Sequence, residues 1–469
     1  MENEELMSNS EQFKEMVVRF ENTIKKNEQC FFDVSDFDDL IDYYFDRNNF
    51  SGASRVVEMA TIQHPQSTVL MLRKAQLLAS TNRPQKALEI LSRLEIIEPS
   101  NIDIYYTKGN IYSQLRQYNK ALETFKKAAE YAEDDRIDDV YLNIAFEYTN
   151  LKNYSEAIIY LKKALLENPE NESALFELAF CYEITENTDE SIKYYSEFID
   201  KYPYSAAAWF NLGVSYSKMG MYEKAIDAYD YSIAIDENFS SAYFNKANAL
   251  AELGQYKEAI ITYKEVFNYE EHDALTYYYI GECYEQLENY EKAMIYFVKA
   301  AKQEPKLADA WVGIGMILDI QNKPIEGIHY IKKGIDLDAG NADYYYILAD
   351  VQRKNGFTDE AEINYNKVLE LNPENEEIYL DFSALYYEQG EIETALEIIC
   401  EGIEKQSKNA LNIYRIVFYL IENGNEKEAY SLFEMGLNMD FEKHTSLFEF
   451  VPELKNNDRL IELIEMYKK

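Results

Sequence analysis

Residues 206–239 read AAAWFNLGVSYSKMGMYEKAIDAYDYSIAIDENF, and this stretch decides the fold. Its first half carries the i, i+3, i+4, i+7 stripe of an amphipathic helix, formed by Trp209, Leu212, Gly213 and Tyr216. After the short turn at 218–221, Ala225 and Tyr229 begin a second stripe. The stretch therefore predicts two helices joined by a turn.

The pattern recurs every 34 residues along the chain of 469. Pro65 and Pro99 are 34 residues apart, as are Pro169 and Pro203. We number the positions of a repeat as slots and set these prolines at slot 32. Twelve repeats then start at residues 34, 68, 102, 138, 172, 206, 240, 274, 308, 342, 376 and 410. Only the third is irregular, with two extra residues near 131–136. A solenoid of stacked repeats needs no single globular core, so the length does not imply several globular domains.

Two slots hold small residues in almost every repeat. Slot 20 is small in twelve of twelve repeats and slot 8 in ten of twelve, with Ile41 and Val417 as the exceptions. Small side chains there predict a close crossing of the two helices, where a larger side chain would cost roughly 1–3 kcal/mol.

Trp209-x-x-Leu-Gly-x-x-Tyr216 followed by Ala225 and Tyr229 resembles the tetratricopeptide-repeat pattern. The resemblance covers residues 34 to about 443. It implies an all-α fold, an α-solenoid wound as a right-handed superhelix of about twelve 34-residue helix-turn-helix repeats with capping helices. It also implies protein binding without naming a partner, because this family has many unrelated binding roles.

The ends of the chain predict caps. Residues 1–33 are expected to form a tail and a capping helix over 11–27, with Phe13, Met16, Val17, Phe20 and Ile24 on one face. A partner-binding arm is the alternative. Residues 444–469 predict a shortened hairpin that covers the last repeat through Leu460, Leu463, Ile464 and Tyr467.

Charge narrows the class of ligand. Lys and Arg number 46 against 85 Asp and Glu, a net charge of −39, which argues against nucleic acid and anionic membranes. A basic protein partner is permitted, although a merely soluble, self-repelling surface explains the same balance. No signal peptide or membrane-spanning segment is expected, and the four scattered cysteines do not predict disulfides. We therefore expect a cytoplasmic protein.

The sequence predicts no catalytic, cofactor or metal site. His64, His272, His329 and His444 fall in unrelated places, and no Cys-x-x-Cys or phosphate-binding glycine loop occurs. Cys181 and Cys283 share slot 10 but lie three repeats apart, so we interpret them as packing residues. We expect a protein that is not an enzyme.

The resemblance places slots 2, 5, 9, 12 and 13 of each first helix on a concave face. Of these 60 positions, 16 are acidic and three basic, namely Lys218, Arg353 and Lys354. Acidic examples are Asp42, Asp46, Glu183, Glu252, Glu282, Glu285, Asp319, Asp350 and Glu388. The expected groove is therefore more acidic than the chain as a whole.

Slot 5 is aromatic in seven repeats and predicts a ladder of rings along this groove. The rings are Tyr106, Phe176, Phe210, Phe244, Tyr278, Tyr346 and Tyr414. The alternative is that these rings pack against neighbouring repeats in a chain rich in tyrosine.

Asparagines at slots 6 and 9 resemble those with which some family members hold a peptide backbone. The candidate partner-binding residues are Phe210, Asn211, Phe244, Asn245, Asn248, Tyr278, Glu282, Tyr106, Asn110, Asn143 and Phe176. The favoured patch lies in repeats six to eight. A clamp for C-terminal carboxylates is disfavoured, because no lysine or arginine accompanies Asn110 and Asn143 at the required slots.

These observations favour a scaffold or adaptor that holds an extended basic or aromatic-bearing segment of a partner. A chaperone or assembly factor for a client protein is the alternative hypothesis. Homo-oligomerisation through the terminal helices is a third.

Overall fold

The structure is a computed structural model that describes residues 2–26, 30–132, 136–270, 272–373, 375, 377–405 and 409–468, with side chains from residue 13 onward. Every regular element in these ranges is helical, and none is a strand. The prediction of an all-α solenoid of helical hairpins is confirmed. The predicted two-residue insertion falls largely on residues 133–135, which lie outside the described residues.

The chain divides into two compact units, an N-terminal unit of residues 1–242 and a C-terminal unit of residues 243–469. The helices of the N-terminal unit are α1 (Glu2–Lys26), α2 (Val34–Asp46), α3 (Phe50–Gln63), α4 (Thr68–Ser80), α5 (Pro84–Ile97), α6 (Ile102–Gln114), α7 (Tyr118–Tyr131), α8 (Ile137–Asn150), α9 (Tyr154–Glu167), α10 (Glu172–Ile184), α11 (Thr188–Lys201), α12 (Ala206–Lys218) and α13 (Tyr222–Ile235). Helix α14 (Ser240–Glu252) crosses the division.

The C-terminal unit continues with α15 (Tyr256–Val266), α16 (Ala274–Gln286), α17 (Tyr290–Gln303), α18 (Ala308–Ile320), α19 (Pro324–Leu337), α20 (Ala342–Lys354), α21 (Thr358–Leu371), α22 (Ile378–Glu388), α23 (Ile392–Lys405), α24 (Ala410–Glu422), α25 (Glu426–Met439), α26 (Thr445–Phe450) and α27 (Asp458–Tyr467). The first helix of a hairpin begins at the predicted start of the repeat in ten of twelve cases. Helix α8 begins one residue earlier than predicted and α22 two residues later.

In the hairpins that have a glycine at slot 8, the two helices cross where this residue meets a large slot-24 side chain. A Cβ atom on Gly213 would lie 2.6 Å from the ring of Tyr229, and one on Gly109 would lie 2.6 Å from the ring of Phe125. Ala225 at slot 20 is fully buried beside this contact. The small residues predicted at slots 8 and 20 are therefore required by the close approach of the two helices.

The turn inside each hairpin also repeats. Slot 15 has a positive φ in all twelve repeats: it is a glycine in five, such as Gly220 at +68°, and a larger residue in seven, such as Asn82 at +58°. Glycine and asparagine adopt this left-handed conformation at low cost. The turn thus reverses the chain after a first helix of nearly constant length.

Successive repeats are joined by aromatic donors at slot 4. The Trp209 Nε1–H donates to the carbonyl of Pro203 at 2.9 Å, and Trp311 does the same to Pro305 at 3.0 Å. The Tyr105 hydroxyl donates to the carbonyl of Pro99 at 2.7 Å. These bonds use the carbonyl of the slot-32 proline whose spacing revealed the period.

A lysine at slot 25 faces two tyrosines of the next repeat, at slots 11 and 23, an arrangement we term the lysine–tyrosine clasp. The Lys162 Nζ lies 5.5 and 5.0 Å from the ring centroids of Tyr182 and Tyr194. A second clasp combines Lys264 with Tyr284 and Tyr296, and Lys126 makes one such contact, 5.2 Å from the ring centroid of Tyr148. These cation–π contacts assign a structural role to part of the chain's tyrosine content.

Helices pack on the first and last repeats at the two ends where the sequence predicts caps. Val17 and Phe20 of α1 are buried in one cluster with Phe37 and Leu40 of α2, although α1 begins at Glu2 rather than near residue 11. At the other end, α26 and α27 are separated by a short 3-10 helix over Pro452–Asn456. The buried Leu460 and Leu463 of α27 belong to the core of the last repeats.

We predict that Gly213→Val lowers the free energy of unfolding by about 1–3 kcal/mol, because its side chain would overlap the ring of Tyr229. Urea denaturation followed by circular dichroism measures the change. Gly340→Val is the control, since a Cβ there meets only Asp338 Oδ1 at 3.5 Å. Equal losses in the two variants would contradict the close-crossing argument.

Candidate partner-binding surface

The first helices form one continuous layer within each unit. Consecutive first helices contact each other, as α8 does α10 and α10 does α12 in the N-terminal unit, and α16 does α18 and α18 does α20 in the C-terminal unit. Second helices pack mainly on the first helices that flank them. The first-helix layer is therefore the inner side of each unit, and it carries the predicted groove slots.

The slot-5 rings pack on the slot-24 ring of their own hairpin. Ring centroids are 5.9 Å apart for Tyr106–Phe125 and Phe210–Tyr229, 5.7 Å for Phe244–Tyr263 and Tyr278–Phe297, 6.3 Å for Tyr346–Tyr365 and 5.8 Å for Tyr414–Phe433. Some of these rings also contact the neighbouring repeat, as Phe176 does Phe210 at 6.2 Å and Phe244 does Tyr279 at 5.7 Å between ring centroids.

The seven rings differ in their accessibility. Tyr414 is only 1% exposed and donates its hydroxyl to the carbonyl of Asp440, so it does not face a groove. Phe176 is 39% exposed and contacts Phe210 and Phe239 at 6.2 and 6.3 Å between ring centroids. The remaining five rings are half-buried. The expected ladder of seven groove-facing rings is therefore wrong at Tyr414, and the slot-5 rings of the other six repeats are partly accessible to solvent.

Two of the predicted peptide-holding asparagines are used inside the solenoid. Asn143 donates to the Tyr106 hydroxyl at 2.9 Å and to the carbonyl of Asp139 at 2.7 Å. Asn211 is 2% exposed and donates to the carbonyl of Leu175 at 3.2 Å. Slot 6 faces the preceding first helix, so its amide ties two repeats together and is not presented to a partner.

The other asparagines lie nearer the surface of the first-helix layer. Asn110 is half-buried and makes no side-chain hydrogen bond within the described part of the chain. The side-chain oxygen of Asn248 accepts a hydrogen bond from the Tyr263 hydroxyl, so its amide hydrogens remain available as donors to a ligand. Asn245 is half-buried on α14. The slot-9 asparagines are therefore better placed for a ligand than those at slot 6.

Four carboxylates on α14, α16 and α18 form what we call the acidic patch: Glu252, Glu282, Glu285 and Asp309. Burial raises the pKa of Glu282, and the charges of Asp309 and Glu252 raise it further, while a hydrogen bond from the Tyr278 hydroxyl at 2.6 Å opposes the shift. Burial and the charge of Glu282 raise the pKa of Glu285. Among the described residues, no lysine or arginine pairs with these four carboxylates.

A second acidic cluster in the C-terminal unit contains its own cation. Arg353 donates to Glu388 and, at 3.0 Å, to Asp350, and its guanidinium lies 4.0 Å from Asp381. Lys354 also pairs with Asp350. Two cations of the fold thus compensate most of the charge of these three carboxylates, whereas no described cation pairs with the acidic patch.

The groove slots of the sequence analysis contain all four carboxylates, with Asp309 at slot 2, but they do not include Tyr279 at slot 6. Asp309 accepts a hydrogen bond from the Tyr344 hydroxyl at 2.6 Å, and its charge raises the pKa of Tyr279. Acidic residues at slots 13, 9, 12 and 2 of consecutive repeats were the signal that could have identified the patch.

The cysteine thiols and the remaining candidate metal ligands do not form a functional site among the described residues. Burial raises the pKa of Cys181 to about 11 and that of Cys283 to about 12, so both thiols stay protonated in the core near neutral pH. Within the described residues, no three His, Cys, Asp or Glu side chains are grouped so as to hold a metal ion. No helix in the same ranges has both the length and the apolar character to cross a membrane.

Family models of the tetratricopeptide repeat match seven segments: residues 102–135, 138–171, 173–205, 206–239, 228–261, 274–307 and 342–375. Five of these segments begin at a predicted repeat start and the segment 173–205 begins one residue after one, whereas 228–261 begins within a second helix. The chain belongs to the tetratricopeptide-repeat family. The repeats account for the solenoid and for a surface suited to protein–protein interaction.

Two curated proteins illustrate the relationship. The human protein O-mannosyl-transferase TMTC3 is 24% identical over 180 residues, which are 36% of this chain and 20% of that protein. The anaphase-promoting complex subunit CDC16 of Saccharomyces cerevisiae is 26% identical over 106 residues, 23% of this chain and 12% of that subunit. The matches thus span about a fifth or less of these relatives.

Among solved structures, the crystal structure of the APC/C hetero-tetramer Cut9–Hcn1 matches with a TM-score of 0.45 and 15% identity. The match covers 89% of this chain and 95% of that one.

We predict that Asn211→Ala lowers the free energy of unfolding by about 1–2 kcal/mol, because its buried amide bond to the carbonyl of Leu175 is lost. Asn110→Ala, which removes the same side chain without a hydrogen bond, should stay within about 0.5 kcal/mol of the parent. Thermal and urea unfolding compare the two variants. An Asn211→Ala protein as stable as Asn110→Ala would refute the structural role.

Proposed function

We propose that this protein is a non-enzymatic scaffold or adaptor of the cytoplasm whose first-helix layer holds an extended basic segment of a partner protein. The acidic patch carries this proposal: besides burial, the charges of Asp309 and Glu252 raise the pKa of Glu282, the charge of Glu282 raises the pKa of Glu285, and no described cation pairs with the four carboxylates. A tetratricopeptide solenoid presents such a layer as a binding surface.

The energetics favour a cationic ligand. Half-buried carboxylates that repel one another are destabilised in their charged form, as the raised pKa of Glu282 indicates. A lysine or arginine of a partner would remove this repulsion and gain charge-assisted hydrogen bonds. Charge pairs that are partly desolvated are worth more than exposed ones.

The aromatic side chains of the patch suit the same ligand. Tyr278 and Tyr279 are half-buried neighbours with ring centroids 5.4 Å apart, and Phe244 lies 5.7 Å from Tyr279. Ring faces attract ammonium and guanidinium groups, and the hydrocarbon stem of a lysine packs on them. The three rings and the carboxylates together favour a basic segment over a compact inorganic cation.

We predict that the double variant Glu282→Gln, Glu285→Gln binds a fluorescein-labelled peptide of alternating lysine and glycine about tenfold more weakly than the parent, a change of about 1.4 kcal/mol. The substitution keeps the shape of the patch but removes two charges. Fluorescence anisotropy of the full-length chain measures the dissociation constants.

The matched control for this variant is Glu258→Gln, Glu326→Gln. It removes the same charge from exposed positions on second helices of the same unit. Equal weakening by both double variants would mean that only net charge matters. If the parent protein does not bind the peptide, the proposed function is refuted.

We also predict that binding of this peptide weakens as the pH falls from 7 to 5. Because their pKa values are raised, Glu282 and Glu285 take up protons at a higher pH than ordinary carboxylates, and protonation cancels their attraction for lysine. The same raised pKa favours the folded state at low pH, so these two groups do not cause unfolding there.

Anisotropy titrations at several pH values, with circular dichroism as the check on folding, test this dependence. The Glu282→Gln, Glu285→Gln variant should show a flatter profile than the parent. Identical slopes in the two proteins would assign the pH dependence to other carboxylates.

A further inference from the structure

The N-terminal unit contains a cavity that the acidic patch does not explain. It has a volume of about 220 Å³ and lies where α10 and α12 meet the start of α11. We call it the aromatic pocket and define it by the side chains that line its mouth and walls: Phe176, Phe180, Tyr182, Phe210 and Val214. The sequence reasoning included Phe176 and Phe210 but no pocket.

The pocket presents apolar surface to solvent. Phe180 is 41% exposed, similar to Phe176, and Ile184 on the next turn of α10 is 48% exposed. Single exposed apolar side chains are common on folded proteins, whereas a contiguous group of them marks a candidate binding site. Phe176 and Phe180 form such a group at one opening, and Ile184 lies outside the residues that line it.

Several polar groups at the pocket are already paired, but the buried Tyr182 hydroxyl has no hydrogen-bond partner among the described residues. The Ser191 and Ser215 hydroxyls share a hydrogen bond of 2.8 Å, and the Asn211 amide donates to the carbonyl of Leu175. At the rim, Lys218 pairs with Glu183 at 3.3 Å. The nearest charges therefore cancel, and an occupant that brings its own charge would find no partner.

We propose that the aromatic pocket receives one uncharged aromatic side chain of the partner segment. The inference rests on the proposed function, and it adds a specificity site in the unit that lacks the acidic patch. Phenylalanine, tyrosine or tryptophan supplies a large contact area at low entropic cost. Edge-to-face contacts with Phe176 and Phe210 match the geometry that these two rings already adopt with each other.

The volume sets the size of the occupant. A cavity of roughly 150 Å³ lined by apolar side chains holds a benzene-sized ring, and drug-sized ligands need roughly 300 Å³ or more. The pocket lies between these limits. It therefore fits one ring on an extended chain and excludes a folded element.

The experiment uses N-acetyl-L-phenylalaninamide as the probe and N-acetyl-L-lysinamide as its charged counterpart. Saturation-transfer difference NMR on the full-length chain measures binding of each. We expect saturation transfer to the aromatic amide, with affinity at least about fivefold higher than for the lysine amide. No transfer to the aromatic amide, or equal affinity for the two, would overturn the proposal.

Two variants assign the binding to this pocket. Val214→Trp places a ring in the mouth and should abolish transfer to the aromatic amide, while Val69→Trp adds the same ring to an exposed first-helix position outside it. Should Val214→Trp fail to fold by circular dichroism, Phe180→Ala replaces it and should weaken binding about fivefold. Unchanged binding in the folded pocket variant would overturn the assignment.

The lysine peptide separates this proposal from the preceding one. If that peptide binds the acidic patch but the aromatic amide does not bind, the scaffold proposal stands and the pocket inference falls. If only the aromatic amide binds, the acidic patch is not the recognition site.

Discussion

The contact between slot 8 and slot 24 is the interaction on which the rest of the structure depends. Gly213 leaves room for the Tyr229 ring, and Gly281 leaves room for the Phe297 ring, so the two helices of a hairpin approach closely. The same ring then supports the slot-5 aromatic on the inner layer, as Tyr229 supports Phe210. In these repeats the slot-24 ring therefore packs both in the hairpin core and against the slot-5 ring of the groove. The position of the slot-5 ring thus depends on the packing inside the hairpin.

Much of the fold could be predicted because its signals are local and repeated. Small residues at slot 20 occur in all twelve repeats and at slot 8 in ten, and the spacing of the prolines gives the same register. The start of α1 could not be placed in this way, because residues 2–10 lack the apolar periodicity that indicates a helix. The lysine–tyrosine clasps were missed because each one joins a slot of one repeat to two slots of the next.

The candidate site was less predictable because a slot identifies a helix face but not its neighbours. Asn211 and Asn245 both occupy slot 6, yet Asn211 is buried against Leu175 whereas Asn245 is half-buried. Tyr414 has the same slot as Tyr278 but is buried, with its hydroxyl on Asp440. These differences arise from side-chain identities in adjacent helices, which a repeat pattern averages away.

The two acidic clusters of the C-terminal unit show why charge count alone does not define a binding site. Asp350, Asp381 and Glu388 surround Arg353, whose guanidinium supplies the donors and the charge that they need. Glu282 has only the Tyr278 hydroxyl, a neutral donor that relieves part of the repulsion and leaves the charge uncompensated. An internally paired cluster gains little from an incoming cation, because it would have to release Arg353 first. The unpaired cluster gains the full interaction, so recognition of a basic partner is expected at α16 and not at α20.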